Sequence, residues 1–174
     1  MRKIKETEVR ERLESYDNPT VTDELYDFGN TLVADIVDRT ERLETKASSL
    51  AAYSLGTITL MASTYTIWSP SINKVGMLLA VVLAFTATVF SVLAITLRRF
   101  EGISQNEWFK ADVLRDRELL RKFHLITMWG VFNSHEANAE IKVIWIGRAQ
   151  IALFLASICI VLSLLGSLVR TIIL

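Results

Sequence analysis

Cysteine occurs once in the chain, at Cys159, and histidine twice, at His124 and His135. A single thiol excludes an internal disulfide framework, and so few soft ligands exclude a cysteine-histidine zinc module. Proline is almost as scarce. Only Pro19 and Pro70 interrupt 174 residues, so long helices meet few breaks. Neither sign of charge is in excess, with 19 basic and 19 acidic residues, which removes the basic surplus expected of a general nucleic-acid binder. The phosphate-cradling, dinucleotide-binding, zinc-protease and nucleophile-elbow patterns are missing as well. No catalytic residue, metal or cofactor is therefore expected, and the chain reads as a non-enzyme.

What is present is segregated. Half the residues are apolar (51%) and 22% are charged, and the two classes occupy different stretches. There are 27 uncharged positions between Lys46 and Lys74, 23 between Lys74 and Arg98, and 21 between Arg148 and Arg170. A hydrocarbon core of roughly 30 Å needs about 20 helical residues. The expected architecture is thus an all-α integral membrane protein with three spans, at about 47–69, 75–97 and 149–170. The first span is diluted by Ser, Thr and Gly; the other two are rich in Leu, Val, Ile and Ala. Charged regions flank them: a cytoplasmic N-terminal region over 1–46 with an amphipathic helix, and a cytoplasmic helical region over 98–148.

Orientation follows from the basic residues. Eight lie in 1–46 and nine in 98–148, against Lys74 alone in the hairpin and Arg170 alone at the end. The positive-inside rule puts the N-terminus in the cytoplasm, the C-terminus outside, and most soluble mass in the cytoplasm. The basic start has no apolar core behind it, so no cleavable signal peptide is expected.

The flanking regions carry helical periodicity. Leu25, Phe28, Leu32, Ile36 and Leu43 recur at spacings of three, four or seven in a segment that should continue into the first span. Ser104 and Glu107 form a capping box for a second cytoplasmic helix, which carries Trp108, Phe109 and Phe123. A turn is expected near Gly130 to Ser134, with Asn133 and Glu136 opening the last helix.

Inside the spans, small residues line up. Thr45, Ser49, Ala52, Gly56, Thr59, Ser63 and Thr66 form one seam in the first span. Gly76, Ala80, Ala84, Ala87, Ser91 and Ala94 form another, and Ala149, Ala152, Ala156, Cys159, Ser163 and Gly166 a third. Helices associate in lipid through close backbone approach across such residues. Two readings stay open: plain helix packing, or a polar path in an oligomer lined by Thr59, Ser63 and Thr66. The loop carries a basic set, Arg115, Arg117, Arg121 and Lys122, which Arg39, Arg42 and Lys46 are placed to face. Guanidinium forks match phosphate oxygens, so these seven residues are candidate ligands for a phosphate group, with a solvated ion-paired surface as the alternative.

The string Asp38-Arg39, then Leu43-Glu44, Lys46-Ala47-Ser48 and a span containing Gly56, resembles the opening of the transmembrane effectors of bacterial antiphage signalling, above all the Pycsar type. The last helix, led by Asn138, Lys142 and Arg148-Ala149-Gln150, agrees with that layout. The resemblance implies a homo-oligomeric inner-membrane protein, inert until cyclic CMP or cyclic UMP from a partner cyclase triggers it to impair the bilayer. A protein of another class also fits the composition: an accessory membrane subunit whose cytoplasmic helices dock a partner.

Overall fold

The computed structural model describes residues 6–15, 19–64, 74–96 and 117–173. Every element among them is a helix: α1 (Glu6–Glu14), α2 (Pro19–Thr64), α3 (Lys74–Thr96) and α4 (Arg117–Ile173). Pro19 sits at the first position of α2, where its missing N–H costs nothing. With no further proline before residue 70, α2 runs for 46 residues. It joins the amphipathic N-terminal segment to the first expected span without a break.

Helix α4 departs from expectation. The turn predicted near Gly130 is absent, and the helix continues through Gly130, Asn133 and Ser134 for 57 residues. A glycine inside a helix costs about 1 kcal/mol, a small sum beside the packing of Leu125, Thr127 and Met128, all buried within the five residues before it. Asn133 therefore lies inside a helix and does not cap one. The predicted capping box at Ser104 falls outside the described residues, as do Arg115 and Thr66.

Two compact units make up the chain. One comprises Met1–Thr40 with Arg99–Ala139, the other Glu41–Arg98 with Glu140–Leu174. In the first unit, α2 and α4 pack in a constant register. Asp23 pairs with Arg121, and the Tyr26 and His124 rings meet edge to face at 5.4 Å. An ideal Cβ on Gly29 would stand 3.1 Å from Met128 Sδ, so the two helices are close there. The inward face of α2 in this unit runs Thr22, Tyr26, Gly29, Val33, Ile36 and Thr40, in alternating steps of four and three. Leu25, Phe28 and Leu32 are exposed, so the packed face is displaced from the one the apolar residues mark.

The second unit is a three-helix assembly. Glu44 meets Lys142, Ala47 packs with Ile146, and Met61 packs with Cys159 and Ile160, so α2 and α4 run parallel. On α3 the order reverses: Ala94 joins Ala47, Thr88 bonds Ser54 and Ala80 joins Met61. Buried positions recur every seven residues, as Ala47, Ser54 and Met61 on α2, and as Met77, Ala84 and Ser91 beside Ala80, Ala87 and Ala94 on α3. On α4 the row is Lys142, Ala149, Ala156 and Ser163. A sustained seven-residue period is that of left-handed coiled packing, the common geometry of helices in membranes.

Among the described residues, two helices are long and apolar enough to cross a membrane: Lys74–Thr96, and a stretch within Leu120–Val169. Only 28% and 17% of their most apolar windows are buried, which sets them apart from the core helix of a soluble protein. The α2 segment expected as the first span does not reach that composition, because Ser, Thr, Tyr53 and Gly56 dilute its Leu and Ile.

Candidate functional site

The packing core of the second unit is built almost entirely from small side chains. Ala47, Ala80, Ala84, Ala94 and Ala149 are completely buried, and so are Ser54 and Ser91. The Ser54 and Ser91 hydroxyls are both satisfied. Ser91 donates to Ala87 O at 2.9 Å, and Ser54 lies 2.8 Å from Leu50 O and 2.8 Å from Thr88 Oγ1. The Ser54 to Thr88 bond ties α2 to α3: one hydroxyl donates its proton across the interface, and the other accepts it while its own proton stays on its helix carbonyl. Ala80, Ala84, Ala152 and Ala156, singled out in the sequence, are all buried.

The small seam expected in the first span lies elsewhere. Ala52, Gly56, Thr59 and Ser63 are exposed, two positions out of phase with the packed row Ala47, Ser54 and Met61. Two residues correspond to about 200° around a helix, so this strip occupies the opposite side of α2. Nothing lies within 4 Å of a Cβ built on Gly56. The hydroxyls of the strip bond their own helix, Thr45 to Glu41 O, Ser49 to Thr45 O, Thr59 to Leu55 O and Ser63 to Leu60 O, all near 3 Å. The outward faces of α3 and α4 differ in kind. They present Val75, Leu78, Val82 and Phe85, and Ile151, Phe154, Leu162 and Leu165.

One charged side chain is buried among the described residues. Lys142 is 1% exposed, making it the largest fully buried side chain, and its Nζ donates to Glu44 Oε1 on α2. Glu44, which the sequence places in the string before the first expected span, is thus a partner of a buried residue. The signal that locates Lys142 is present in the third seam: stepping seven back from Ala149 lands on it. One turn further on, Arg148 stacks over Trp145 with its guanidinium carbon 4.8 Å from the ring centre, and Trp145 in turn meets Phe90 at 5.4 Å. This places an aromatic and cationic layer beside the ion pair, at the end of the unit nearest Thr96.

The seven candidate phosphate ligands do not form one described cluster. Arg39, Arg121 and Lys122 belong to the first unit, Arg42 and Lys46 to the second. Arg117 opens α4, and Arg121 is paired with Asp23. Arg39 and Lys46 are exposed. The first unit instead carries a half-open apolar pocket of about 280 Å³, lined by Val9, Leu13, Leu32, Val33, Leu125, Met128, Trp129 and Phe132, with Asn133 as its polar contributor. Such a lining suits aliphatic or aromatic groups and offers no cradle for a phosphate. No group of three or more His, Cys, Asp or Glu side chains is placed to hold a metal ion among the described residues. His124 is occupied in ring packing with Tyr26, and Cys159 packs partly buried beside Met61, Met77 and Ala80. In comparison with known proteins, no family model matches the chain, and neither the curated proteins nor the solved structures give a match.

Proposed function

We propose that this chain is a three-span membrane effector of an antiphage signalling system, with its N-terminus in the cytoplasm and its C-terminus outside. It assembles into a homo-oligomer through α2 and impairs the inner membrane when a partner cyclase makes a cyclic pyrimidine nucleotide. The observation that supports this reading is the chemical contrast on the outer surface of the second unit. Faces of Leu, Val, Ile and Phe on α3 and α4 suit contact with acyl chains, whereas the Ser49, Ala52, Gly56, Thr59 and Ser63 strip of α2 suits another helix or water. Small residues let a second α2 approach closely, and hydroxyls already bonded to their own carbonyls keep lone pairs for a partner or for a hydrated path. The ligand shifts the assembly only in so far as it binds the damaging arrangement better than the resting one.

Membrane potential in cells supplied with an active pyrimidine nucleotide cyclase tests the reading. The potential should collapse with wild-type protein, and Thr59→Val with Ser63→Val should alter the collapse without changing binding of labelled cyclic CMP or cyclic UMP. An unaltered potential together with no nucleotide binding overturns the effector reading. The exposed Leu25, Phe28 and Leu32 of the first unit would then favour the second function, an accessory subunit docking a partner protein through its cytoplasmic helices.

A further inference from the structure

We propose that the buried Glu44 and Lys142 pair is the register key of the second unit, the contact that forbids α2 and α4 from sliding one heptad past each other. The need for such a key follows from the seam itself. On α4 the buried row after Lys142 is Ala149, Ala156 and Ser163, and the buried row of α2 is Ala47 and Ser54, closed by Met61. Rows of Ala and Ser seven residues apart are nearly self-similar, so except at the Met61 end a seven-residue slip sets small residues against small residues again. Shape alone discriminates poorly between the two arrangements, and in lipid there is no hydrophobic term to favour one of them.

Charge discriminates. In the observed register Lys142, 1% exposed, finds Glu44, 98 residues earlier. A slip of seven in either direction would set its ammonium against Val37 or Ala51, neither of which offers an acceptor side chain. An unpaired ammonium in such surroundings is heavily disfavoured, so both slipped states are removed. A single polar residue in an otherwise uniform heptad seam is the best-attested device for fixing register and partner choice. Thr40 precedes Ala47 by seven on α2, but with its proton on Ile36 O it offers an ammonium only a neutral lone pair and no countercharge, so it does not replace Glu44 as the partner.

The test uses full-length protein in cell membranes, with Cys159→Ala to remove the native thiol. Cysteines at Ala47 and Ile146, neighbours in one core cluster, report the observed register. Cysteines at Ala47 and Leu153 report the register slipped by seven. With the pair intact, oxidation should link only 47 to 146. Lys142→Ala or Glu44→Gln should lower that product several-fold and raise the 47 to 153 product, and the exchange Glu44→Lys with Lys142→Glu should restore the original pattern. Where a single variant fails to insert, Glu44→Met with Lys142→Met decides, because two thioethers of similar length leave no buried charge behind and should give both products. Linkage of 47 to 146 alone in the double-Met variant, or wild-type patterns in both single variants, overturns the proposal. Nucleotide gating plays no part in any of these outcomes.

Discussion

Replacing Gly56 and Ala84 by leucine, one at a time, should produce opposite effects in two assays, because the two residues lie on different faces of the second unit. Ala84 is completely buried in the α3 seam. Three extra carbon atoms there force α3 away from its neighbours or into poor rotamers, at a cost of about 1–3 kcal/mol. Gly56 has no atom within 4 Å of a built Cβ, so leucine meets open space within the chain. Removing a glycine from the helix interior should even stabilise α2 by up to ~0.8 kcal/mol. Cys159 supplies a native reporter for the folded unit, since it is the one cysteine and it packs against the Met61, Met77 and Ala80 cluster. Its alkylation rate follows the population of opened unit. At tenfold per 1.4 kcal/mol, Ala84→Leu should accelerate alkylation roughly 5- to 150-fold. Gly56→Leu should leave the rate unchanged or lower it. Cross-linking of neighbouring chains in membranes should reverse the ranking, with Gly56→Leu losing oligomer bands that Leu83→Ala retains. Equal acceleration by both leucines refutes the assignment of faces, and undiminished oligomer bands in Gly56→Leu refute assembly through the α2 strip.

Four further outcomes are expected. A double-mutant cycle of Ser54→Ala and Thr88→Val should give a coupling of about 0.6 kcal/mol, typical of hydrogen bonds between membrane helices, read from Cys159 alkylation; zero coupling removes that bond as a link between α2 and α3. Gly29→Ala should stabilise the first unit by a few tenths to ~1 kcal/mol, because the new methyl meets the movable thioether of Met128, and a lowered thermal midpoint contradicts it. Arg121→Gln should cost less than about 1 kcal/mol of stability, the Asp23 pair being partly solvated, yet it should abolish the cyclase-dependent collapse of potential if Arg121 contacts a ligand phosphate. Cysteines at Glu24 and at Ser71, in a Cys159→Ala background, should label from opposite sides of the membrane; labelling of both from outside discards the three-span topology.

How far the molecule can be read from its residues depends on which signal each element leaves. Helix α3 is legible over most of its length. Its small residues fall on one side and its large ones on the other, so the seam read from spacing is the buried row from Ala80 through Ala84, Ala87 and Ser91 to Ala94, whereas at its start Met77 is buried and Gly76 only partly so. The third seam is legible from Ala149 to Ser163 for the same reason, with Gly166 exposed at its far end. Continued back from Ala149 it reaches Lys142, and a charged residue in that row points to a partner. Helix α2 is different. Small residues lie on both of its sides, Ala47, Ser54 and Ala51 on one and Ala52, Gly56 and Ser63 on the other, and size alone cannot set the phase. In its N-terminal half apolarity misleads, because Leu25, Phe28 and Leu32 are exposed while Thr22 and Thr40 are buried. The helix through Gly130 was hidden by residues that favour turns in isolation, and tertiary packing outweighs that preference.

What sets the phase of α2 is a small number of contacts between residues far apart in the chain. Glu44 with Lys142 joins charges that cannot remain unpaired away from water, and Ser54 with Thr88 adds a bond across to α3; each is compatible with only one rotation of the helix. Turning α2 by 200° to bury the other small strip would keep the close backbone approach but strand Lys142. The choice of face is therefore made by polarity, and it leaves the Ala52, Gly56, Thr59 and Ser63 strip directed outward. The same contact that fixes the fold of the chain thereby decides which surface of α2 is turned outward.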